Sequence, residues 1–295
     1  MLIYYVEILQ FNKYILSCSF FLEEENKGGS VRLSFRDEGR GHVLVFIHSY
    51  LLDKDAWRGQ IELLKKDFRC ISIDLPAHGE SDSIELERDV SLKFIAEEIV
   101  MLLKKLKISK YVCIGASLGG MIVPDICILD KERLSAVIMI NTYLGDETKE
   151  VKQLFLSFLD IAALYNKVPE GLIEQVKPLF FHNTTKKNRK YCNLFSDKLR
   201  SLGGDRLETL VKIGKSVLEN EENLLEKVKT SNIPVCLING ENNVFYPFER
   251  NYKVCKDIKN IEIFKLEDTE YMFNEKDNIN IYNIIKSFLR EREYY

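Results

Sequence analysis

Ser117 lies in the run Gly115-Ala116-Ser117-Leu118-Gly119, directly after the apolar stretch Tyr111-Val112-Cys113-Ile114 and ahead of a helix-like segment from Met121. A chain that turns sharply from strand to helix through a serine presents the hydroxyl for attack on a carbonyl carbon. Such a turn is strained, and the residues two before and two after it must be small so that strand and helix can close on each other. Gly115 and Gly119 satisfy that demand. Acyl transfer by a serine also needs a base for the hydroxyl proton, a group that orients the base, and donors for the oxyanion. The chain has four histidines to offer as base: His42, His48, His78 and His182.

The elements that must position the serine follow from periodicity. Residues 31–36, 43–47 and 70–74 read as strands, with an amphipathic segment at 57–66 between the last two. Residues 92–106 read as a helix, with Ile95, Ile99, Leu102, Leu103 and Leu106 on one stripe. Strand 111–114, a helix ending at Leu129 and strand 134–140 follow. Short apolar strands separated by helices imply a mostly parallel central sheet with helices on both faces, an α/β fold. After Asn141 the rhythm breaks, and 146–230 is continuously helix-like, with Val151, Leu154, Phe155, Phe158, Leu159 and Ala162 at helical spacing. Strands resume at 233–238 and 261–266, and 279–289 closes the chain as a helix. The expected organisation is an N-terminal extension (1–30), a core (31–145 and 231–295) and an inserted helical cap (146–230).

Composition narrows the class. With 295 residues, 46% hydrophobic and 29% charged, the chain suits one large domain with an insertion. A net charge of −3 gives no electrostatic footprint for a nucleic-acid partner. Seven cysteines without a Cys-x-x-Cys pair, several inside apolar strands, favour free thiols and a reducing, cytoplasmic setting. No Cys/His cluster has ligand spacing, so neither a metal nor a cofactor is expected. Residues 1–22 are apolar but interrupted by Glu7, Gln10, Asn12 and Lys13. They fit neither a spanning helix nor a signal peptide and read as an element packed on the domain.

Several motifs together resemble the α/β-hydrolase family of the small esterase and lactonase type, over about residues 31–289. Val43 to Tyr50, Val-Leu-Val-Phe-Ile-His-Ser-Tyr, is similar to the family's strand and His-Gly turn, which forms half of the oxyanion hole. Asp74-Leu75-Pro76-Ala77-His78-Gly79-Glu80-Ser81 is similar to its Asp-Leu-Pro-Gly-His-Gly-x-Ser turn. The resemblance implies a serine–acid–histidine triad in that chain order. The family pattern Gly-x-x-Asp-x-x-x-Pro falls on Gly240-Glu241-Asn242-Asn243, with Pro247 in register, so Asn243 stands at the acid position. Leu266-Glu267-Asp268-Thr269-Glu270-Tyr271 occupies the stretch that should end in histidine, so Tyr271 stands there.

The triad is thereby incomplete. An Asn at the acid position costs about 10⁴ in rate in a serine protease, and loss of the base roughly 10⁶. Tyrosine, with a pKa near 10, is a poor base at neutral pH, and Glu267, Asp268 and Glu270 beside Tyr271 would raise its pKa further. By the resemblance His48 and His78 belong to structural turns, which leaves His182 in the cap as a substitute base. Asp146 is the best-placed substitute acid. The implied oxyanion donors are the N–H groups of Tyr50 and Leu118, with Ser49 replacing the usual glycine before Tyr50. The expectation is a divergent hydrolase of a small carboxylic ester, thioester or lactone, with a substrate or ligand of apolar character. The alternatives are a non-hydrolytic cyclase or lyase of small-molecule biosynthesis, or a non-catalytic binder of a small ligand or a protein. Oligomeric state is left open.

Overall fold

The computed structural model describes residues 30–85, 87–181, 189–243, 245–269 and 275–294. The element expected at 1–22 lies outside them. Seven strands form one sheet: β1 (Phe35–Gly39), β2 (Val43–Ile47), β3 (Arg69–Ile73), β4 (Tyr111–Ala116), β5 (Leu134–Ile140), β6 (Val235–Gly240) and β7 (Ile261–Leu266). Their order is β1-β3-β2-β4-β5-β6-β7. Only β1 runs antiparallel, against β3; the other pairings are parallel.

Alternation along the strands explains the layers. Val45, Ile47, Val137 and Met139 face one side and pack with α2 (Leu92–Lys105) and α3 (Leu118–Leu129). Leu44, Phe46, Ala136 and Ile138 face the other and pack with α1 (Arg58–Leu64) and α10 (Glu275–Arg290). Period two in the strands thus feeds apolar surface to helices on both faces. Six cysteines, Cys70, Cys113, Cys127, Cys192, Cys236 and Cys255, are free and buried within these layers and the inserted helices.

Between β5 and β6 the described residues form α4 (Lys149–Tyr165), α5 (Glu170–Phe180), α6 (Arg189–Arg200), α7 (Gly204–Leu218) and α8 (Leu224–Ser231). Helices α4 to α7 share their own apolar cluster, which includes Ala162, Leu172, Ile173, Phe180, Phe195, Leu207 and Leu210, whereas Leu224 and Val228 of α8 join the core layer on the α2–α3 side of the sheet. Local signals set their ends: the Thr148 side chain caps α4, whose other end stops at Asn166 in left-handed backbone. The Asn166 side chain in turn accepts from the N–H of Gly204, which opens α7. Charged ties hold the helices on the core. Lys198 of α6 pairs with Asp53 at 2.8 Å, and Arg206 of α7 donates to the carbonyls of Ala77 and Gly79. The short helix α9 (Phe248–Cys255) follows β6.

Candidate active site

Ser117 connects β4 to α3 with φ 47° and ψ −112°, left-handed backbone that a non-glycine residue holds only under constraint. The constraints are visible. The Ser117 N–H donates to the Ile140 carbonyl at 3.0 Å, and the Ser117 carbonyl accepts from the Thr142 hydroxyl at 3.0 Å. The Thr142 carbonyl is itself held by the buried amide of Asn251 at 2.6 Å. Close packing fixes the rest: a Cβ on Gly119 would lie 2.3 Å from the Ile47 carbonyl oxygen, and one on Gly115 would lie 2.6 Å from Gly119. A side chain at Gly120 would strike Thr142. The serine is 7% exposed and lines a cavity of ≈ 180 Å³.

The turn after β2 provides the facing wall. His48 donates from Nδ1 to the Ser49 carbonyl and accepts the Leu75 N–H on Nε2. His78 donates from Nδ1 to the Pro76 carbonyl and accepts the Leu51 N–H on Nε2. Both rings are buried with both nitrogens engaged, and burial, their largest influence, lowers the pKa of His48 to about 4 and that of His78 well below the ordinary value. They are neutral struts of the turn, in keeping with the motif.

The left-handed residue of this turn is Leu51, at φ 63°, and not Ser49, so a serine in place of glycine costs no backbone strain there. Among the described residues the N–H groups of Tyr50 and Leu118 donate to no backbone carbonyl. Two unengaged donors beside a serine are what a developing oxyanion requires. The Tyr50 hydroxyl donates to the Leu210 carbonyl of α7 at 2.8 Å, and burial raises its pKa. The ring therefore bridges the turn and the inserted helices while it forms part of the cavity wall.

Asn243 follows β6 and is 1% exposed. Its Oδ1 accepts the N–H groups of Phe245 and Tyr246 at 3.0 and 3.1 Å, a turn that a short polar side chain makes readily. Its Nδ2 is buried without a hydrogen-bond partner. The preceding loop is tied to the loop after β7, since the Asn242 N–H donates to the Thr269 carbonyl. Asp146 is exposed and lines a separate, smaller groove with Glu147 and Glu222. His182 and Tyr271 lie outside the described residues.

The cavity wall is almost wholly hydrocarbon, supplied by Phe155, Phe158 and Leu159 of α4, Leu172 and Val176 of α5, and Val211 of α7. Among the described lining residues there is no Lys, Arg, His, Asp or Glu. Sequence reasoning did not find Thr142 or Asn251, the groups that lock the serine backbone. The consecutive glycines Gly119-Gly120 were the signal for a side chain pressed against the helix start.

Comparison with known proteins agrees with this fold. A profile of the alpha/beta hydrolase fold matches residues 42–269. A Haemophilus influenzae protein named as a provisional 2-succinyl-6-hydroxy-2,4-cyclohexadiene-1-carboxylate synthase is 28% identical over 67% of this chain and 79% of its own length. The bifunctional epoxide hydrolase 2 of Sus scrofa is 27% identical over 76% of this chain, which spans only 41% of that protein. Among solved structures, a thermophilic esterase from Thermogutta terrifontis superposes with a TM-score of 0.77 at 20% identity, covering 88% of this chain and 94% of its own.

Proposed function

The chain belongs to the α/β-hydrolase fold family, and on that premise we propose that it is a divergent serine hydrolase of a small carboxylic ester, thioester or lactone. The observation that carries this reading is Ser117 itself, held in left-handed backbone beside two unengaged N–H groups and an apolar cavity. The substrate carbonyl oxygen would accept from Tyr50 and Leu118. Ser117 Oγ would bond to the carbonyl carbon, the alcohol or thiol would leave with the hydroxyl proton, and water would release the acid. Helices α4 to α7 would act as a cap over the bound acyl group. With Asn243 at the acid position, turnover would run roughly 10⁴ or more below that of a complete triad.

A second reading, a non-catalytic binder of an apolar ligand, draws support from the same site. Asn243 turns its acceptor oxygen toward backbone N–H groups, and both turn histidines are locked in neutral form. Among the described residues none is placed to take the serine proton. Labelling with a fluorophosphonate, wild type against Ser117→Ala, separates the two. Covalent attachment that disappears in the alanine variant is the outcome for a hydrolase. No attachment to well-folded wild type would sink the hydrolytic reading and leave the binder.

A further inference from the structure

The cavity is lopsided in its chemistry. At its floor stand Ser117 and the two N–H donors; elsewhere it presents Phe155, Phe158, Leu159, Leu172 and Val176. Tyr50 and Tyr246 also line it, and the Tyr50 hydroxyl is committed to the Leu210 carbonyl at 2.8 Å. A ligand group that enters the cavity therefore meets no cationic side chain among the described lining residues. The volume, ≈ 180 Å³, slightly exceeds the ~150 Å³ of apolar cavities that stay dry and take up benzene.

We propose that this cavity is an acyl pocket for an uncharged hydrocarbon chain of roughly six to eight carbons, and that it rejects a chain ending in a carboxylate. The proposal rests on the Ser117 reading in one respect: the acyl group stays on the serine after the first step, so it is the part that gains from a deep wall. A hydrocarbon chain loses water it did not want, whereas a carboxylate would leave its hydration with no partner to replace it. The relative from Haemophilus influenzae is named for a compound that carries a carboxylate; among the described lining residues of this cavity no cation would pair with that group.

The test is titration calorimetry on the full chain carrying Ser117→Ala, so that nothing is consumed. The ligands are methyl octanoate and monomethyl suberate, which share one chain length and differ in a terminal carboxylate. The proposal expects methyl octanoate to bind roughly 100-fold or more tightly than monomethyl suberate. Affinities within tenfold of each other, or binding of neither, would overturn it. Val176→Arg supplies a reversal, because Val176 is half-buried and a guanidinium there can reach a terminal carboxylate while its stem stays on the wall. Monomethyl suberate should then gain at least tenfold. If that variant fails to fold, the comparison in its parent still decides. Fluorophosphonate labelling of Ser117 is scored separately. Labelling without discrimination refutes the pocket alone, and discrimination without labelling refutes the hydrolase alone.

Discussion

Asn243 engages its carbonyl oxygen with two backbone N–H groups and leaves its amide nitrogen buried without a partner. A carboxylate would keep both accepted bonds and remove the orphaned donor, but it could raise the rate substantially only by steadying an imidazolium. Asn243→Asp should therefore change hydrolysis of p-nitrophenyl butyrate by less than about tenfold; a rise approaching 10⁴ would reveal an imidazole at work. The two turn histidines give a second expectation. Their folded pKa values lie below the ordinary 6.5, so between pH 6.5 and about 4 the unfolded chain binds protons that the folded chain refuses. Their contribution to stability is full above pH 6.5 and falls as pH drops, by up to about 1.4 kcal/mol per pH unit for each ring. Urea midpoints at pH 7 and pH 5 check this, and a flat profile would refute it. At this scale the sequence was legible where a motif fixes local geometry, as for the strand-to-helix turn at Ser117 and the turns braced by His48 and His78. It did not single out Thr142 or Asn251: Gly119-Gly120 signals a close neighbour at the helix start but not its identity, since Thr142 meets the serine loop only through the fold.

Among the elements, β4 and α3 meet at glycine because backbone meets backbone. A methyl at Gly119 would press on the Ile47 and His48 carbonyls, which cannot rotate away. Gly119→Ala should cost about 3 kcal/mol or more in urea unfolding, as overpacking against a rigid neighbour does. The Tyr50 hydroxyl joins the turn after β2 to α7. Its removal in Tyr50→Phe should cost about 1 kcal/mol in the same assay, since one hydrogen bond is lost and the ring still packs. The central strands β2, β4 and β5 were legible because buried parallel strands are continuous apolar runs, and the edge strand β7 was legible from its apolar Ile261, Ile263, Phe264 and Leu266. Residues 31–36 were read as the first strand, yet β1 is Phe35–Gly39. The earlier residues bond to the segment that follows β3, through the Ser34 N–H to Ser81, the Asp74 N–H to Ser34 and the Asp82 N–H to Arg32. Helix α9 was not foreseen. It is eight residues long, about two turns, which is too short for apolar residues at helical spacing to stand out from a loop.

For the molecule as a whole, the sheet with apolar layers on both faces and the helices inserted after β5 place every described cysteine out of reach of water. Desolvation by burial raises the pKa of Cys70 to about 12 and that of Cys255 to about 11. The thiolate is the species that reacts, so these buried thiols should ignore a thiol reagent while the protein stays folded, and each modification of them should record a moment when a layer has parted. Because Cys127 belongs to the α2–α3 face, Cys236 to the α1–α10 face and Cys192 to the inserted helices, the protein carries a separate timer in each layer. With Cys18 changed to serine, mass spectrometry of alkylated peptides would read the three timers in one sample. Equal rates would mean that the layers open together, and faster marking of Cys192 would mean that the inserted helices lift while the sheet stays shut.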